Sequence, residues 1–228
     1  MLYLDGIAVS EYYLSVKERS EIPTAERDVE IIEIRGRHGS LTKKFGYKNK
    51  PLKVKFNFLE DVPFKSVFRV FKNVLLNAKI LKFSDDPDIY NKIKNVTIET
   101  ATNEVEEYGE FIVDFLLDPF DYEEDVTINI SGATTIFNQG YEAEPYIKIY
   151  GAGTGKVYIN GQSFQVTIDD FVEVDRDMMN AYKTVNGIIS SRNDKMVGVF
   201  PILSSGENNI SFDGGITKLE LIPRWRWL

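Results

Sequence analysis

Lys156–Ile159, Asn160-Gly161 and Gln162–Ile168 read together as one β-hairpin, and this stretch decides the fold of the second half of the chain. Both central residues of a tight hairpin turn need positive φ, a conformation that Asn and Gly accept at low cost. Working outward, Tyr146–Tyr150 reads as a strand before the hairpin. Phe171–Val174, Val197–Phe200, Asn209–Phe212 and Thr217–Ile222 read as strands after it. Short strands at such spacing make a β-sandwich.

The first half has a different texture. Leu2–Val9 is a short strand broken by the turn pair Asp5-Gly6. Val29–Ile34 is a second strand whose alternation slips between Ile31 and Ile32, the mark of a bulge or of burial on both faces. Gly36-Arg37-His38-Gly39 is a turn. Leu52–Phe58 then alternates cleanly, with Val54, Phe56 and Phe58 on one face and Lys53, Lys55 and Asn57 on the other. Phe64, Val67, Phe68, Phe71, Val74, Leu75 and Ala78 recur at spacings of three and four, so they form one stripe of a helix that must lie on a sheet; Asp61 and Pro63 supply its start. Strands resume at Lys79–Phe83, Val96–Thr100 and Glu110–Leu116, the last ended by Asp118-Pro119-Phe120. The fold class is therefore mainly β with one α-helix. A polar stretch from Asp121 onward sets the boundary between an N-terminal domain, 1–130, and a C-terminal sandwich, 131–228.

Composition removes whole classes of chemistry. Cysteine is absent and His38 is the single histidine, so thiolate catalysis, disulfides and multi-histidine metal centres are excluded. The net charge of −8 speaks against a protein that grips nucleic acid. No apolar run is long enough to span a membrane, and the N-terminus has no signal-peptide pattern, so synthesis and folding in a cytoplasm is the expectation. The remaining candidates are weak. Asp85-Asp86-Pro87-Asp88 reads as a turn rather than a calcium loop. Asp169-Asp170 would point to opposite faces of a strand and so cannot flank one sugar. Gly151-Ala152-Gly153-Thr154-Gly155 lacks the Lys-Ser/Thr ending of a phosphate loop and reads as a loop between strands. No catalytic, cofactor-binding or metal-ligating residue emerges, and no cofactor is implied.

Two features point instead to contact surfaces. Arg35 to Lys55 holds eight basic residues and no acid, whereas Glu99 to Asp125 holds eleven acids and no Lys or Arg. Either these are two solvated faces, or a basic hairpin arm of one subunit lies on an acidic face of the next. The interface candidates are Arg35, Arg37, Lys43, Lys44 and Lys48 on one side and Glu104, Glu106 and Glu107 on the other. The second feature is the ending Pro223-Arg224-Trp225-Arg226-Trp227-Leu228, which holds both tryptophans of the chain. Indoles left in water would forgo about 25 cal/mol per Å² of burial, so the tail is read as tied down. Alternation places Trp225 and Trp227 against a core and leaves Arg224 and Arg226 to pair, as anchors of a terminal strand.

The second half resembles the C-terminal part of siphophage distal tail (Dit) proteins. The residues that carry the likeness are Asn138-Gln139-Gly140, Glu144–Ile149 with Gly151, Ile159-Asn160-Gly161, Asp175, Asn186, Gly198–Pro201, Gly206–Ile210 and Pro223–Arg226. In the first half they are Asp5-Gly6, Gly36–Leu41, the single helix and Asp118-Pro119-Phe120; His38 stands where the family has aspartate. The resemblance implies a structural protein of the virion tail tip. Its N-terminal domains would form a hexameric ring joining the tail-tube protein to a tail-associated lysin or fibre protein, with a channel through which DNA passes unbound. Its C-terminal domain would be a galectin-like sandwich that docks a receptor-binding protein. A carbohydrate-binding module for host cell-wall glycans is the alternative, and it predicts exposed aromatic rings on the sandwich beside hydrogen-bonding partners. A wall hydrolase would need a facing carboxylate pair that the sequence does not offer.

Overall fold

The chain folds as two units, Met1–Tyr122, to which Leu228 also belongs, and Glu123–Trp227. The computed structural model describes residues 1–18, 21–58, 63–99, 101–105 and 108–228, with only the backbone for 102–105 and 108. It is mainly β with one α-helix.

The first unit holds β1 (Leu2–Leu4), β2 (Ile7–Ala8), β3 (Leu14–Val16), β4 (Arg27–Ile32), β5 (Leu41–Tyr47), β6 (Lys50–Phe58), α1 (Phe64–Asn77), β7 (Ile80–Phe83), β8 (Ile89–Ile98), β9 (Thr102–Val105) and β10 (Tyr108–Glu123). Its main sheet runs β2-β1-β7-β8-β10-β6-β3, with β9 also on β10. The expected alternation of β6 is realised: Leu52, Val54, Phe56 and Phe58 are buried. They register with Phe115, Val113, Phe111 and Gly109 of β10, whose apolar residues face the same way. The α1 stripe closes this face with Phe64, Phe71 and Leu75. Phe56 stacks on Phe111 at 5.4 Å, and Phe71 meets Phe56 edge-on at 5.7 Å. Gly109 has no side chain because the Phe64 ring occupies its place: a Cβ there would sit 2.6 Å from that ring. Asp61 lies outside the described residues, and Pro63 caps α1 without a side-chain hydrogen bond.

Two expectations are corrected in this unit. Asp118-Pro119-Phe120 does not end its strand, since β10 runs on to Glu123. Pro119 lies beyond Leu117, the last residue paired with β6, so β6 never needs the missing N–H. The irregularity of β4 falls between Arg27 and Val29 rather than at Ile31-Ile32, and neither face of the strand is buried.

The second unit holds β11 (Ile128–Ile130), β12 (Thr134–Asn138), β13 (Tyr146–Ile159), β14 (Gln162–Asp175), β15 (Asn180–Val185), β16 (Ile188–Ser191), β17 (Met196–Gly198), β18 (Gly206–Ile222) and β19 (Arg226–Trp227). One sheet, ordered β11-β18-β13-β14-β15-β16 with β12 on β18 and β17 on β14, curls on itself. Its core draws Ile147, Ile149, Val172, Val174, Leu219 and Leu221 from one half of the long strands. Val157, Ile159, Phe164, Val166 and Ile210 come from the other half. The Asn160-Gly161 turn has φ of 52° and 79°, as the hairpin requires.

Gly151–Gly155 is not a loop between strands: it is the bend inside β13. There the β13–β18 register shifts twice, and the backbones cross at contact distance. A Cβ on Gly151 would lie 2.0 Å from the Gly215 carbonyl oxygen, and one on Gly215 would lie 1.9 Å from that of Ala152. Glycines here let one strand serve both layers.

Candidate functional site

The charge blocks separate into two different structures. Lys50, Lys53 and Lys55 stand on β6, directly beside the acid-bearing β10, and pair within the protomer. Lys53 reaches Glu99 at 2.7 Å and Asp114 at 3.4 Å; Lys55 reaches Glu110 at 3.3 Å. The buried Lys50 ammonium donates to Asp121 at 2.6 Å, and Asn91 donates to the same oxygen. Asp118 accepts from the Tyr122 hydroxyl and pairs with Lys94, both at 2.8 Å. Burial pushes the Asp118 carboxyl up, but the bonds from Lys94 and Tyr122 outweigh it and hold it below the usual carboxylate range.

The rest of the basic block lies on a ribbon. β4 and β5 pair only with each other, and no residue of either strand is buried. Arg35 and Arg37 are exposed in the connecting turn, where Gly36 and Gly39 take φ of 86° and 72°. Lys43 and Lys44 are on β5; Lys48 follows it and reaches Glu26 at 3.4 Å. Cross-strand registration places Lys43 opposite Glu30, so the ribbon is not uniformly basic: β4 and its flanks carry Glu26, Asp28, Glu30 and Glu33. Of the acidic candidates, Glu104 is on β9 with only its backbone described. Glu106 and Glu107 lie outside the described residues.

What the charge pattern misses is the ribbon's apolar content. Cross-strand pairing puts Ile32 and Leu41, with Phe45, on one face and Val29 and Ile31 on the other. Val29, Ile31, Ile32, Leu41 and Phe45 are between 38% and 64% exposed. The slip in alternation that marks Ile31-Ile32 is the sequence signal for this: a ribbon with apolar residues on both faces has no single core to face. An isolated two-stranded hairpin is marginal in water; at the ribbon's base Tyr47 lies edge-on to Phe120 at 6.3 Å, but no residue of either strand is buried.

The terminal tail is a clamp within the second unit. Arg224 takes φ of 56°, which breaks the expected alternation, and only Arg226 and Trp227 form a strand. Arg224 grips Asp175 with two bonds at 2.8 and 2.9 Å. Burial raises the Asp175 carboxyl, but the guanidinium and the Met178 and Asp177 amides prevail and hold it low. Arg226, itself buried, donates through Nε to the Glu142 carbonyl at 2.7 Å and through Nη1 to Glu144 at 3.2 Å. Trp225 packs on the core, and the Trp227 indole donates to Glu123 at 2.7 Å.

The outer face of the sandwich carries Tyr146, Tyr150, Phe171 and Tyr182. Three of these rings are already engaged. Tyr146 and Tyr150 donate to Glu173 and Glu220 at 2.6 and 2.8 Å. Lys148 and Lys183 lie 4.2 and 4.8 Å from the Phe171 ring centre, Lys218 lies 4.6 Å from that of Tyr150, and Arg224 faces Tyr146. Asp169 pairs with Lys183 and Arg192 rather than with a second carboxyl. Asp85–Asp88 is a turn, and no group of three metal-ligating side chains occurs among the described residues.

No family model and no curated protein sequence matches this chain. Among solved structures, the crystal structure of the Dit protein of phage SPP1 superposes with a TM-score of 0.72 at 17% identity, covering 100% of this chain and 98% of that one. The fold is that of a phage Dit protein. Two chains of the phage P2 baseplate in its activated conformation, with calcium and with strontium, also match the Dit-like fold. Their TM-scores are 0.50, with 10% and 9% identity, and each comparison covers 93% of this chain and 90% of the other. The SPP1 Dit protein is described as a paradigm of the hub adsorption apparatus in phages that infect Gram-positive bacteria.

Proposed function

We propose that this chain is a structural hub subunit of a phage tail tip, and that it works by docking rather than by catalysis. Its N-terminal domain forms the ring, six subunits around a channel through which DNA passes without specific binding. The ring joins the tail-tube protein to a tail-associated lysin or fibre protein. The C-terminal sandwich is galectin-like and offers a surface for a receptor-binding protein. The subunit is made and assembled in the host bacterial cytoplasm and resides in the virion tail; no helix among the described residues is long and apolar enough to cross a membrane.

One observation carries this reading: a Dit fold whose β4–β5 ribbon exposes apolar residues on both faces and has an unpaired edge on either side. Such a ribbon gains stability only when another surface covers it. A second copy of the chain supplies that surface in a ring. With Glu30 opposite Lys43, the ribbon's apolar side chains give the affinity, and Arg35, Arg37, Lys44 and Lys48 fix the register against acids of the neighbour such as Glu104, Glu106 and Glu107. The glycan-binding alternative loses its main support, because the rings of Tyr146, Tyr150 and Phe171 are each faced by a cation.

Light scattering of the full chain, with and without the neighbouring tail-tube protein, tests the reading. The expected result is a ring in at least one condition, lost in the double variant Ile31→Asp/Phe45→Asp while thermal unfolding of the protomer stays unchanged. A wild-type chain that stays monomeric in both conditions, or a double variant that assembles normally, overturns it.

A further inference from the structure

The chain contains two Asn-Gly dipeptides, and each forms the tip of a hairpin. Their backbones are nearly identical: φ is 52° and 79° at Asn160-Gly161, and 51° and 78° at Asn186-Gly187. Both asparagines are exposed, so exposure does not distinguish them.

Their side chains do. The Asn160 carboxamide is held at both ends: its oxygen accepts the Asn209 N–H at 2.9 Å, and its nitrogen donates to Asn208 Oδ1 at 2.8 Å. Asn208 is fully buried and is itself bonded to Ser204, so the clamp is anchored in the core. The Asn186 carboxamide makes no hydrogen bond among the described residues. It sits between Val185 and Ile188, which are 50% and 71% exposed. Behind it, β15 and β16 share four residue pairs, and β16 is an edge strand exposed along its whole length. A short edge ladder of this type opens locally at much lower free energy than the core.

We propose that Asn186 is a spontaneous modification site that converts to aspartate and isoaspartate, with water as the only co-reactant. The glycine that follows has no Cβ to shield the approach of its own nitrogen. On local opening, the Gly187 backbone nitrogen gives up its proton to solvent base and bonds to the Asn186 Cγ. The Cγ–Nδ2 bond breaks, and the amide nitrogen takes up a proton and leaves as ammonia. Water then adds to one of the two carbonyl carbons of the cyclic imide, and that carbon's bond to the ring nitrogen breaks. Opening at the backbone carbonyl leaves isoaspartate; opening at Cγ leaves aspartate. No electrons are transferred, and the balance is one water consumed and one ammonia released. The same attack at Asn160 first requires two anchored hydrogen bonds to break. Reaction at Asn186 puts a carboxylate on an apolar hairpin tip, and the isoaspartate form adds a methylene to the turn, which the tight two-residue geometry does not accommodate.

The full-length protein is incubated in mildly alkaline buffer, with and without denaturant, and its peptides are followed by mass spectrometry with isoaspartate detection. In the native protein Asn186 converts faster than Asn160 by roughly tenfold or more, the cost of releasing two side-chain hydrogen bonds. In denaturant the ratio falls toward one, and Asn186→Gln removes the early ammonia release. Equal native rates, earlier conversion of Asn160, or a ratio that denaturant leaves unchanged would each overturn the proposal.

Discussion

The β4–β5 ribbon and the β6–β10 ladder are both antiparallel pairs rich in Val, Ile, Phe and Lys, yet they have opposite fates. In the ladder every inward apolar residue is buried in the core that α1 helps to close, and the outward Lys53 and Lys55 meet Asp114 and Glu110 on the adjacent strand. In the ribbon no residue is buried. The pairing of strands is therefore not what stabilises a hairpin here; shelter of one face is. The ladder is a product of its own chain. The ribbon's apolar residues stay exposed in the protomer.

The largest effect should come from removing a shelter. Phe111→Ala takes away a ring packed against Phe56, Phe68 and Phe71 and should cost about 3–5 kcal/mol in denaturant unfolding of the first unit. A cost under about 1 kcal/mol would mean that the ladder is as loosely held as the ribbon. The same contrast extends to ion pairs. Arg224→Ala strands the Asp175 carboxylate, whose side chain is 3% exposed, and should cost about 3 kcal/mol, the low end for a buried pair because Arg224 keeps some solvent. Lys48→Ala, by contrast, removes an exposed ribbon contact and should cost no more than about 1 kcal/mol.

Acid should read out the sheltered pairs. Asp118 and Asp175 both have carboxyl pKa values held below the unfolded one. Their contribution is complete above the unfolded value of about 4 and is lost as pH falls through the lower, folded value. Chemical denaturation from pH 6 downward should show stability falling only below about pH 4, and Asp175→Asn should flatten that fall. The smallest effect belongs to the ribbon itself. Ile31→Ala should change the stability of the isolated protomer by less than about 0.5 kcal/mol. A loss above about 2 kcal/mol would show that the protomer shelters this residue after all, and the comparison would fail.

Much of this was legible in the residues. Alternation marked β6 because one of its faces is wholly apolar, and the three-four spacing marked α1 for the same reason. Asn160-Gly161 marked its hairpin through the φ values it permits. The strands at 128–130 and 134–138 are too short, at three and five residues, to show a period, and they sit on β18 only at its ends. Asn186-Gly187 carried the same turn signal as Asn160-Gly161, but β15 and β16 around it are short and one is wholly exposed, so no periodicity reinforced it. The bend at Gly151–Gly155 looked like a loop because glycine signals freedom in a sequence, whereas here it signals close approach of a second backbone.

The sequence alone determined the local periods, the turns that need positive φ, the absence of thiol chemistry and the existence of two charge blocks. These follow from each residue's own backbone and side-chain chemistry. Only the tertiary structure decided that Lys50, Lys53 and Lys55, three of the eight basic residues, pair with carboxylates of their own protomer, which distant groups Arg224 and Arg226 grip, and that the ribbon's apolar residues stay uncovered. Those outcomes depend on which distant segments meet, and burial is a property of the meeting, not of the residue.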